Sequence, residues 1–182
     1  MTYDLYFVPY DAGSEPSAVQ AFLEQESEEG HEAAAAPNER VAAALLALNA
    51  GLERFEFDYA EIARLQETSV EEAQRQNTHI ELNTASNNGI QTTLFSNQAS
   101  ITVPYWYVGE KAEAVFAEIA SYAKVLTEQG PYRVYDPQLD RVIDDFDEIR
   151  AAALERYCYI VRRMPRVVRG ALNNKKPWWQ FW

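Results

Sequence analysis

An α+β fold, with an antiparallel sheet carrying helices mainly on one face, follows from three observations in this 182-residue chain. Three short segments rich in β-branched and aromatic residues, His79 to Thr84, Gly89 to Phe95 and Ala99 to Trp106, succeed one another with only turn residues between them. Apolar residues recur at helical spacing from Val115 to Leu126 and again from Phe146 to Met164. A further strand pattern stands at each side of this block, so strands group together and helices lie against them in a layered arrangement.

Taken in order, Tyr3 to Val8 is a strand that stops at Pro9, and the polar Asp11-Ala12-Gly13-Ser14 turns the chain. A helix starts at Ser14-Glu15-Pro16-Ser17, with Val19, Phe22 and Leu23 as a half-buried face, and runs into the acidic stretch Glu24 to Glu32. After the small-residue connector Ala33 to Pro37, Asn38 is expected to cap a second helix, with Val41, Leu45 and Leu48 on one side and Gly51 as its stop. Ile62 and Leu65 suggest a short helix, and Ser69 and Glu72 are spaced as a capping box for another. The three central strands form a meander, turned by Asn87-Asn88-Gly89 and Ser96-Asn97-Gln98, because Asn and Gly tolerate positive φ.

Gly109 opens a helix that reaches Gln129, with Val115, Phe116, Ile119, Tyr122, Ala123 and Leu126 on its apolar stripe, and Gly130-Pro131 ends it. Tyr132 to Tyr135 returns as a strand. The last helix is expected from about Asp144 to Arg163, acidic in its first turn and basic in its last, an order that complements the helix dipole. Residues 1–142 therefore form an acidic α+β domain, and residues 143–182 form a carboxy-terminal helix and a basic aromatic tail packed on the same domain.

Charge is distributed unevenly. Beyond Arg150 seven cations face one acid, Glu155, a net +6, whereas the whole chain carries −12, which leaves −18 on residues 1–150. Such asymmetry reports on partners more than on fold. The single Cys158 forms no intrachain bridge, and with two histidines it offers no zinc spacing, so a reducing compartment is expected and neither metal nor cofactor is. The amino terminus bears an acid where a signal peptide carries cations, and no apolar run approaches the ~18 residues a membrane span needs. A cytoplasmic location is the expectation.

Few residues suggest catalysis. His79, Glu81 and Asn83 alternate onto one strand face, a row with general-base potential, but the solvent face of an antiparallel strand shows the same polar alternation. Asp136, Asp140, Asp144 and Asp145 crowd one stretch without a calcium-loop pattern, and a turn with Arg141 neutralising a neighbouring acid accounts for them. Gly109-Glu110-Lys111 lacks the rest of a P-loop, Cys158 reads as a small apolar residue of a helix, and His31 falls in a solvated acidic loop. This lack of catalytic signatures argues against an enzyme.

Binding is better supported. In Tyr105-Trp106-Tyr107 alternation sends neighbouring rings to opposite faces, so either both faces are covered or some rings are exposed as contact residues beside Asp136, Asp140, Asp144 and Asp145. The tail residues Lys175, Lys176, Trp178, Trp179, Phe181 and Trp182 admit three uses: folding back on the acidic domain, lying in a membrane interface, or docking to a partner or nucleic acid. The acidic body opposes any polyanion, so nucleic acid is not expected, while peripheral membrane contact through the tail stays open.

Tyr3-Asp4-Leu5-Tyr6-Phe7, Asn88-Gly89-Ile90, Ile101-Thr102-Val103-Pro104-Tyr105-Trp106 and Tyr135-Asp136-Pro137-Gln138 resemble segments of small uncharacterised bacterial proteins, some of them similar to immunity proteins of interbacterial toxin systems. The resemblance is scattered over residues 1–142 and carries over no site residue. It implies a binding protein that neutralises a basic toxin by electrostatic complementarity. The alternatives are a small hydrolase-like enzyme using the His79 and Glu81 face, and a peripheral membrane protein held by its Trp-rich tail.

Overall fold

Alternation sets the central strand: Tyr3, Leu5 and Phe7 are fully buried along β1 (Thr2–Pro9), in a computed structural model that describes residues 2–29, 36–84 and 89–164. The chain continues through α1 (Pro16–Glu29), α2 (Ala36–Leu48), β2 (Leu52–Arg54), α3 (Tyr59–Gln66), α4 (Val70–Gln76), β3 (Ile80–Thr84), β4 (Gln91–Leu94) and β5 (Ala99–Pro104). There follow α5 (Glu110–Gln129), β6 (Tyr132–Asp136), β7 (Arg141–Ile143), α6 (Phe146–Glu148), a π-helical segment (Ile149–Ala153) and α7 (Leu154–Arg163). The strands form one seven-stranded sheet in the order β2-β3-β4-β5-β1-β6-β7, with every pair antiparallel. The expected α+β class and meander are thus present.

Register assigns each side chain to a face. Tyr3 lies opposite Val103, Leu5 opposite Ile101, Phe7 opposite both Ala99 and Val134, and Leu82 opposite Thr92. Apart from the polar Thr92, these residues, with Ile80, Leu94 and Ile143, make the main core against α2, α5 and α7. All six expected stripe residues of α5 are buried. The opposite face carries a smaller core in which Val8 and Tyr135 pack on Val19 of α1, flanked by Phe22, Leu23 and Val142. Burying a large apolar side chain contributes about 1.5–3 kcal/mol, so the three-helix face dominates the stability and α1 adds a smaller share.

Four details differ from the sequence reading. Asn38 lies inside α2 and is 1% exposed: its Nδ2 donates to Phe95 O and its Oδ1 accepts from Tyr132 Oη at 3.3 Å, so it ties α2 to the sheet instead of capping it. β2 and β7 are three-residue strands, too short for alternation to reveal, and they close both sheet edges. Leu48, expected with Val41 and Leu45 on one side of the second helix, is 49% exposed while those two are buried. The last helix contains the π segment. Ile149, Ala153, Tyr157 and Val161 are all buried at spacings of four residues, a period that drifts around a regular α-helix, and the wider turn keeps them on one side. The turn residues Asn87 and Asn88, His31 and the whole basic aromatic tail, including Lys175, Lys176, Trp178, Trp179, Phe181 and Trp182, lie outside the described residues. Among the described residues no helix is long and apolar enough to cross a membrane.

Candidate protein-binding site

Of the contact residues expected from sequence, Tyr105, Trp106, Tyr107, Asp136 and Asp140 lie toward one end of the sheet, where β5 ends, β1 begins and β6 turns into β7, whereas Asp144 and Asp145 follow β7, which runs back alongside Val134. Their foundation is aromatic: the Tyr3 ring meets Phe116, Tyr157 and Tyr105 edge-on at 5.6, 6.0 and 6.3 Å between centroids, and Tyr105 stacks on Tyr157 at 5.2 Å. Tyr157 Oη donates to Pro104 O at 2.6 Å and accepts from Tyr107 N at 3.0 Å, which fixes the chain where it leaves β5. Trp106 covers Gly89, whose φ of 78° suits glycine and whose position leaves no room for a Cβ against the indole.

Asp136 completes this foundation. It is fully buried, its Oδ2 accepts from Tyr3 Oη at 2.5 Å, and its Oδ1 accepts from the backbone N–H of Gln138 and Leu139 at 2.8 and 3.0 Å. An Asp that bonds the backbone two residues on builds the turn from β6 to β7. Burial raises its carboxyl above the usual carboxylate range, opposed by the hydrogen bonds from Tyr3, Leu139 and Gln138 and by the charge of Arg141. Burial also pushes Tyr3 far above its ordinary value, helped by Asp136, and pushes Tyr105 up to about 12. Arg156 Nε donates to Gln138 O at 3.1 Å, and its charge opposes the rise at both tyrosines.

The expected site therefore divides. Tyr105, 4% exposed, and Asp136 are corrected from contact surface to interior support, because Tyr105 is buried against Tyr157 and Asp136 beneath Tyr3 and its own turn. Trp106 and Tyr107 are half-buried, and Asp140, Asp144 and Asp145 are exposed. Asp140 sits at φ 52° and accepts from Tyr135 Oη at 3.2 Å, while Asp145 caps α6 by accepting from Asp147 N at 2.9 Å. Arg141 pairs with Glu148 at 2.7 Å, an acid on the helix that follows the turn.

The His79, Glu81, Asn83 row is not a solvent face. Glu81 is 6% exposed, accepts from Asn83 Nδ2 at 2.7 Å and from the Gln91 side chain, and is raised in pKa by burial against the effect of those bonds. The ring of His79 packs against Phe57 and Phe95, at 4.8 and 5.4 Å between centroids. Two amides serve the carboxyl and two aromatic rings hold the imidazole, an arrangement of structural packing. Cys158 is half-buried against the main core. Among the described residues no three His, Cys, Asp or Glu side chains gather as a metal-binding group.

A second surface was not singled out by sequence. Phe55, Leu65 and Val70, in the stretch from β2 through α4, are 47%, 66% and 40% exposed, and Glu53, Glu56, Glu67 and Glu71 are exposed in the same stretch. Arg64 and Arg75, on the two helices, are bound to Glu61 and Glu72 at 2.5 Å. The acid density was visible in the sequence, but the helical spacing of Ile62 and Leu65 indicated only a short helix, not what its sides face. In comparisons with known proteins, no family model, curated protein or solved structure matches this chain.

Proposed function

We propose that the chain is a non-catalytic protein-binding module of the bacterial cytoplasm, of the immunity-protein type, which engages a basic protein such as a toxin through its acidic surface. The observation that carries this reading is the way its cations are used. Arg54, Arg64, Arg75, Lys124, Arg141 and Arg150 each lie within 4 Å of an acid. Glu53, Glu56, Glu67, Glu71, Asp140 and Asp144 are exposed and have no ion pair among the described residues. Exposed pairs contribute about 0–1 kcal/mol each, so internal pairing does not account for the acid surplus. Excess charge of one sign destabilises a folded body by self-repulsion, and the compensating gain is attraction and orientation of an oppositely charged partner.

The test is affinity capture with the full chain from its own cells at low ionic strength, followed by elution with rising salt. This reading expects one stoichiometric basic protein, released as salt increases. Retention of nothing, or of an acidic protein, overturns it.

A further inference from the structure

We infer that α3, α4 and the segment entering them form the docking surface, and that the partner's contact segment carries apolar side chains among its lysines and arginines. This rests on the acidic-module reading above and gives that module a location. β2 and β3 are direct neighbours, with Leu52 opposite Thr84 and Arg54 opposite Leu82, yet residues 55–79 intervene. An antiparallel pair needs a connection of only about two to five residues. The added length builds a helix pair in which Ala63 and Ala73 are the buried residues. Two alanines remove little area from water, while Phe55, Leu65 and Val70 expose much of theirs.

Chemistry selects the occupant. Glu53, Glu56, Glu67 and Glu71 repel nucleic acid and anionic lipid and attract cations, whereas the three apolar side chains gain only from apolar counterparts. A basic protein segment with apolar residues supplies both. Glu67 ends α3 in the left-handed region at φ 54°, between Leu65 and Val70, and Asp140 shares that region at φ 52° in the turn from β6 to β7. At the Asp140 to Glu148 rim Asp145 caps a helix, Glu148 holds Arg141 and Asp147 faces Arg150, and although Asp140 and Asp144 have no ion pair among the described residues, no large apolar side chain between residues 136 and 148 is exposed beside them.

The experiment maps backbone amide shifts of the full chain at low salt, during titration with a synthetic amphipathic helix of lysine and leucine and with its counterpart in which serine replaces leucine. The largest shifts are expected in residues 53–76, with the leucine peptide the tighter. Affinity for it should fall roughly tenfold in Leu65→Ser/Val70→Ser, which alters no charge, and by less than about twofold in Glu110→Gln/Glu113→Gln, which removes two charges at exposed α5 positions outside the proposed surface. The serine changes are at exposed sites, and an unaltered Tm verifies that the variant is folded. Shifts centred elsewhere, or full affinity in the serine variant, overturn the location while the acidic-module reading stands. Absence of binding by both peptides overturns both.

Discussion

Asp136 illustrates how burial changes the work of a carboxylate. It anchors three donors from two places in the chain, and Tyr3 is 133 positions away. Asp136→Ala leaves those donors without their acceptor and should destabilise by about 2–3 kcal/mol in urea unfolding. Asp136→Asn, which keeps the Oδ1 acceptor, should cost less. Its carboxyl is raised by burial, so the folded chain binds that proton more readily than the unfolded chain does. The associated stability is fully present below about pH 4 and is lost as pH rises through the folded-state value. The stability of the wild type relative to Asp136→Asn should therefore fall across that interval, and a difference independent of pH would contradict the assignment. Glu67→Gly relieves a left-handed residue and should raise stability by about 1 kcal/mol while weakening partner binding, a pair of opposite effects that unfolding and titration separate. None of this was legible in Asp136-Pro137-Gln138: the motif announces a turn, but the distant tyrosine that buries it leaves no local mark.

Elements were legible in proportion to their length and periodicity. β1, the meander and α5 carry their own patterns at period two or 3.6, although β4, expected over Gly89 to Phe95, is only four residues long. β2 and β7 have three residues each and owe their form to a partner strand already in place. The π segment was hidden because a spacing of four residues fits a helical reading until its drift is followed over several turns. α3 and α4 were found, but their surroundings were not: exposure depends on what packs nearby, and Leu65 has no sheet face over it. With only Ala63 and Ala73 buried, this pair should open more readily than α5. Native-state hydrogen exchange is expected to show amides of residues 59–76 exchanging well before those of residues 115–126. Equal protection would mean that the pair is held by more than its own contacts.

At the scale of the whole molecule, charge and fold divide the labour. The main core is built on the sheet face under α2, α5 and α7, while acids surplus to internal pairing occupy the exterior. The imbalance between −18 on residues 1–150 and +6 beyond was plain in the sequence, since net charge needs no structure to be counted. Which acids are free to meet a partner required the ion pairs and caps. Long-range attraction by such a surface raises the encounter rate and is screened by salt, over a distance of about 10 Å at 0.1 M ionic strength. The most direct test is the association rate of the full chain with its captured basic partner, measured by stopped flow across ionic strength. The rate should fall at least about tenfold between low and high salt, with dissociation changing much less; an association rate indifferent to salt would contradict recognition through the acidic surface.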